Sequence, residues 1–166
     1  MITQSDSSAQ TAFEIGLLKD TDENFRTLVL WLARDPVYGA APISRLPALG
    51  SWLKHRRLVV ATVETRIVGA LAWVLVEPES AIRAIQDRVL PPSDSLVSTS
   101  DALLITMIAG SEPGVVKRLM RRFIAMNKGR LLIFERHLSR GQASMRFGWV
   151  DREGVLGGAA LHSSQE

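Results

Sequence analysis

The chain has 166 residues, with 20 lysines and arginines against 17 aspartates and glutamates, a formal net charge of +3 and no cysteine. That length fits one domain around one core, and the lack of cysteine excludes disulfides, thiolate zinc sites and a cysteine nucleophile. The opening MITQSDSSAQTA lacks the basic and apolar regions of a signal peptide, and no apolar run approaches the roughly 18 residues that cross a bilayer, so a cytoplasmic protein without a transmembrane segment is expected.

Residues 1–20 are expected to be disordered, 21–153 to form the domain and 154–166 to form a flexible, glycine-rich tail. Phe25, Leu28, Val29, Leu32 and Ala33 recur at spacings of three and four, which predicts a helix over 22–34 with Thr21 or Asp22 as its cap. The stretch WLARDPVYGAAP turns at Pro36 and re-enters a helix at Pro42. Leu46, Leu49 and Leu53 continue that helix, with Pro47 in its first turns. The run KHRR (54–57) closes it, where basic residues complement the carbonyl end of the helix dipole.

LVVATV (58–63) and IVGALAWVLV (67–76) are β-branched runs joined by the short ETR turn, the pattern of a hairpin. Ala81, Ile82, Ile85 and Val89 return to helical spacing over 80–90, and PPSDSLVSTSD is a loop by its proline and serine content. ALLITMIA (102–109) is a continuous apolar run, as in a strand buried on both faces. SEPG then leads to a helix over 115–126, stopped by Asn127-Lys128-Gly129, before the strands RLLIFER (130–136) and ASMRFGWV (143–150). The fold class is α/β, an α+β mixed sheet of four or five strands with helices on its faces.

No chemical motif is self-evident in this frame. AGSEPGVVKRL could place backbone amides around an anion, but its glycine spacing matches neither a P-loop nor a dinucleotide fingerprint, and Glu112 would repel phosphate. His55, His137 and His162 lack the spacing of a metal site, and no nucleophile elbow occurs. KHRR and KRLMRR (117–122) are either solvated helix faces or surfaces for an acidic partner. No aromatic interleaving or recognition-helix pattern accompanies them, so nucleic acid is not the expected partner. Trp31, Trp52, Trp73 and Trp149 fit core positions, and an acyl-chain groove would use the same residue type.

Taken in succession, WLARDPVYGAAP, LVVATVETRIVGALAWVLV, LLITMIAG and LMRRFIAMNKGRLLIFER resemble the toxin-activating lysine acyltransferases, the C proteins that activate RTX haemolysins and cytolysins. The resemblance runs from Leu28 to Trp149, about 120 of 166 residues. It implies a GNAT-like acyltransferase fold and a homodimer. It also implies an acyl carrier protein thioester as donor, no bound cofactor, and an internal lysine of an RTX protoxin-like protein as acceptor. The family's corner carries Ser-Pro-x-His-Arg and its buried strand carries Asp. By register Tyr38 stands at the histidine, Gly39 at the arginine and Thr106 at the aspartate.

The site expected from this register is Tyr38 and Thr106 at the reaction centre and Trp73 near the acyl chain. Arg118, Arg121 and Arg122 are expected to dock the acidic carrier protein, an assignment that rests on charge and not on a family motif. Tyrosine, with a reference pKa near 10, can donate a proton to a leaving thiolate but is a poor base at neutral pH. Threonine offers one hydrogen bond and no charge. Two readings follow: an acyltransferase with an altered centre in which Tyr38 is the general acid, or an inactive homologue that keeps the binding surfaces, with Tyr38 as packing.

Overall fold

The computed structural model describes residues 13–35, 38–39, 46–87, 102–137, 143–150, 153 and 156–160. In chain order the elements are β1 (Glu14–Leu17), α1 (Asp22–Leu32), α2 (Leu46–Lys54), β2 (Leu58–Val63), β3 (Arg66–Leu75) and α3 (Pro78–Gln86). They continue with β4 (Ala102–Gly110), α4 (Val115–Met126), β5 (Leu131–His137), β6 (Ala143–Val150) and β7 (Leu156–Ala160). The strands form one seven-stranded sheet in sequence order. Neighbours are antiparallel except β4 and β5, which run parallel. A parallel pair needs a crossover, and α4 supplies it.

The α/β class is observed, but the sheet exceeds the expected four or five strands. β1 falls within 1–20, expected to be disordered, and β7 within 154–166, expected to be a flexible tail. Their sequences, EIGL and LGGAA, have too little apolar alternation to signal a strand. Each forms by pairing its backbone with a neighbour, β1 with β2 and β7 with β6. Strand structure is therefore present on both sides of 21–153. Residues 1–12, the loop 91–101, and most of the corner between Asp35 and Leu46 lie outside the described residues.

Local chemistry sets the helix boundaries. Thr21 is extended (φ −140°, ψ 152°) and its hydroxyl accepts the Asn24 N–H, while Asp22 and Glu23 face the positive end of the α1 dipole. α3 begins two residues before the expected start, with Pro78 in the first turn, where its missing N–H costs nothing. α2 ends in a Schellman turn: Arg57 N–H bonds the Trp52 carbonyl and Arg56 N–H the Leu53 carbonyl. Arg56 takes the left-handed conformation (φ 55°) that glycine usually supplies there.

Two cores sandwich the sheet. α1, α2 and α3 cover one face with Leu28, Leu32, Leu49, Trp52, Leu53 and Ala81 against Leu58, Val74 and Leu104. α4 covers the other with Val115, Leu119 and Phe123 against Val59, Trp73, Leu103 and Leu132. Burial from both sides explains why every β3 residue after Arg66 is buried, and why its sequence shows no polar alternation. α4 approaches closely because two strand positions lack a side chain. A Cβ at Gly69 would lie 2.8 Å from Val115 Cγ2, and one at Gly110 would overlap Val115 outright.

Candidate functional site

β4 and β5 are hydrogen-bonded only at their beginnings, where Ala102, Leu103 and Leu104 pair with Leu131, Leu132 and Ile133. β4 then continues to Gly110 on β3 alone, and β5 on β6 alone. The sheet opens into a wedge, and the β5-facing edge of β4 keeps main-chain donors and acceptors without a strand partner. An exposed strand edge is where an extended, amide-bearing chain adds as a further strand.

The wedge begins at a β-bulge. Trp73 pairs with Ile105 and Ala72 with Met107, so one step on β3 spans two on β4 and Thr106 is the extra residue. The half-buried Thr106 turns its hydroxyl back to donate to the Ala72 carbonyl at 3.3 Å. Bulges re-aim side chains and end pairing, and here Leu104 and Met107, three apart, face the same core.

Tyr38 reaches the open edge from the corner after α1. Its ring packs against the core under α1 and α2. Its hydroxyl accepts the Ile108 N–H at 3.1 Å and donates to the Ile108 carbonyl at 3.3 Å. One phenolic oxygen thus takes the place of a neighbouring strand. Backbone contacts hold the corner: Tyr38 N–H donates to the Asp35 carboxylate at 3.0 Å, and Gly39 N–H to the Asp35 carbonyl at 2.7 Å. Glycine is required at the next position, since a Cβ on Gly39 would lie 2.6 Å from the Ala33 carbonyl oxygen and 2.7 Å from that of Asp35. An arginine, expected from the family pattern, would not fit this turn.

Tyr38 and Thr106 therefore meet the same stretch of β4, two residues apart. Trp73 does not join them. It is 4% exposed and packs edge-on against Phe123, with centroids 5.2 Å apart and an interplanar angle of 67°, on the α4 face. The indole, expected near an acyl chain, is enclosed in the α4-side core. Arg121 and Arg122 are exposed, whereas Arg118 is half-buried and lies 4.9 Å over the Phe13 ring. In the loop before α4, Ser111 N–H bonds the Val68 carbonyl and Val115 N–H the Glu112 carbonyl. Those two amides are turned to internal use.

KHRR also divides. Lys54, His55 and Arg56 are exposed, but Arg57 is buried, so the run is not a uniform solvated face. Among the described residues no three acidic or histidine side chains gather as a metal site, and no helix is long and apolar enough to cross a membrane. Sequence reasoning missed Ile108, whose contribution is main-chain and leaves no side-chain signal. It also treated Gly39 only as a departure, although a glycine directly after a proline-marked turn can signal close backbone approach.

No family model matches the sequence, and no curated protein matches it. Among solved structures the chain is similar to the loading GNATL domain of CurA from Lyngbya majuscula, with TM-score 0.58 and 9% identity over 75% of this chain; it spans 64% of that domain. It is similar to the mosquito arylalkylamine N-acetyltransferase like 5b, with TM-score 0.55 and 10% identity over 77% of this chain and 78% of that one. The Drosophila melanogaster polyamine N-acetyltransferase gives TM-score 0.54 and 15% identity over 76% and 77% of the two chains. With its sheet parted between β4 and β5, the chain has the GNAT-type acyltransferase fold.

Proposed function

We propose that the chain is a GNAT-type acyltransferase whose acyl-thioester donor lies along the open edge of β4. The observation that carries the reading is the wedge between β4 and β5, with Thr106 at its bulge and the Tyr38 hydroxyl on Ile108. In aminolysis the acceptor amine attacks the thioester carbonyl, the tetrahedral intermediate collapses, and the leaving thiolate takes a proton. Tyr38 supplies that proton as it gives up its bond to the Ile108 carbonyl, the Ile108 N–H remains on the phenolate oxygen, and the proton that the attacking nitrogen sheds as the amide forms returns through solvent to restore the phenol. General acid help of this kind is worth about 10²- to 10⁴-fold. The acceptor must arrive as the neutral amine or lose its proton to solvent, because neither Tyr38 nor Thr106 is a base at neutral pH.

The resemblance to the toxin-activating acyltransferases supports acyl carrier protein as donor, a protein lysine of an RTX protoxin-like partner as acceptor, and a homodimer as the working form. Exposed Arg121 and Arg122 suit an acidic carrier protein. One observation favours a second reading: the Tyr38 hydroxyl is already bonded on both sides by Ile108, as a packing tyrosine in an inactive carrier-binding homologue would be.

The experiment is intact-mass analysis of the protein mixed with acyl carrier proteins loaded with a range of fatty acids and a lysine peptide. Acyl transfer above the spontaneous rate, reduced about 10²-fold or more in Tyr38→Phe, is expected. Full activity in that variant removes Tyr38 from the mechanism. A stable complex without transfer leaves the binding protein, and salt-insensitive affinity unchanged by Arg121→Glu with Arg122→Glu removes the docking patch.

A further inference from the structure

Asp35 commits its amide, its carbonyl and its carboxylate to the corner after α1. Its N–H donates to the Leu32 carbonyl at 3.0 Å, its own carbonyl accepts the Gly39 N–H at 2.7 Å, and its carboxylate accepts the Tyr38 N–H at 3.0 Å. The last two bonds are those of a helix N-cap, whose carbonyl takes the first helical bond and whose side chain takes the N–H three residues on. Proline follows Asp35 in the sequence, and proline is favoured directly after a cap.

The corner is thereby tied from two sides. Leu32 is buried in the core under α1 and α2, so the Asp35 N–H fastens the cap to a packed point. Beyond the turn, the Tyr38 ring rests on the same core and its hydroxyl reaches the Ile108 N–H and carbonyl. Asp35 is half-buried, and a bond from an N–H to an ionised carboxylate is stronger than one between neutral groups. Gly39 leaves room for the turn, and the Asp35 carboxylate holds the Tyr38 amide in it.

We propose that Asp35 is the positioning residue of the site, capping the turn that holds the Tyr38 hydroxyl on Ile108. Its consequence for catalysis rests on the reading of Tyr38 as general acid, whereas its consequence for the placement of Tyr38 does not. In this role Asp35 acts through Tyr38 and makes no bond to donor or acceptor. Cap geometry then sets which residues can replace it. Asn and Ser present a capping oxygen, Ala presents none, and Glu keeps the charge on a side chain one methylene longer.

The test follows Ile108 amide exchange by NMR in the full chain, alongside acyl transfer from loaded acyl carrier protein to a lysine peptide. In Asp35→Ala the Ile108 amide is expected to exchange about 5- to 30-fold faster, with a smaller change at Leu103 and Leu104. Asp35→Asn and Asp35→Ser are expected to restore most of that protection. Transfer by Asp35→Ala is expected to lose kcat by about the same factor at unchanged KM for the carrier, and adding Asp35→Ala to Tyr38→Phe to cost nothing further. Unchanged Ile108 protection in Asp35→Ala, equal acceleration at all three amides, Asp35→Asn exchanging as fast as Asp35→Ala, or a loss of transfer carried by KM would overturn the proposal. If the parent chain transfers no acyl group, the reading of Tyr38 as general acid fails, and the exchange rates alone decide the role of Asp35. Should Asp35→Ala not fold, Asp35→Glu is compared with Asp35→Asn: lost protection at Ile108 in the first alone supports the cap, and protection kept in both overturns it.

Discussion

The two ends of β4 differ in one respect with large consequences. At its beginning, Leu103 and Leu104 are paired on both edges, to β3 and to β5, and both are buried. At its end, Ile108 is paired on one edge only, and a single tyrosine hydroxyl completes the other. The first end is built for stability. The second keeps strand-edge hydrogen-bonding groups in a half-buried setting, an edge of the kind to which an extended chain can add.

The comparison is broken most severely from the α4 face. Phe123 is fully buried and shares a core with Trp73, Leu103 and Leu132 beneath the closed end. Phe123→Ala should lower stability by about 3–5 kcal/mol, seen as a reduced urea midpoint. Gly110→Ala acts at the open end, where the new Cβ would overlap Val115. Overpacking of this kind should cost about 1–3 kcal/mol. Chemical denaturation of both variants would show whether α4 ties the two ends together.

Tyr38→Phe sharpens the contrast. It keeps the ring and strips both hydrogen bonds from Ile108, at a cost of about 1–3 kcal/mol if the groups stay buried, and the Ile108 amide should then exchange with solvent faster while those of Leu103 and Leu104 do not change. Equal protection at Ile108 in both proteins would mean that the hydroxyl does not cap the edge. Thr106→Val removes only the bond to the Ala72 carbonyl. Its expected loss is about 0.5–1.5 kcal/mol, and the altered amide exchange should centre on the bulge.

The sequence was informative where side chains carry the structure. The apolar runs of β3 and β4 are legible because burial on both faces removes polar alternation, and α1 is legible because Leu28 and Leu32 keep helical spacing against Thr21 as cap. β1 and β7 were not, since EIGL and LGGAA contribute backbone to a sheet edge and little side-chain pattern. At the site, register placed Tyr38 and Thr106 on common ground. The parting of β4 from β5 was hidden, because pairing is decided between backbones far apart in sequence. The core packing of Trp73 against Phe123 was hidden for a related reason: an indole in a core and an indole in a groove are the same letter. Arg57 was read as part of a charge run, although its place after a left-handed helix end sends it inward.

The hydroxyl bond from Tyr38 joins residues 70 positions apart, and this gives the site a place in time as well as in space. Closing so long a loop carries an entropic cost that only the assembled strands can offset. The corner is therefore expected to be fixed late, after β2, β3 and β4 have paired. As the chain emerges from the ribosome, the tyrosine waits through the synthesis of two helices, two strands and most of a third strand before its anchor exists. Whatever the wedge binds, it can recognise only the finished protein.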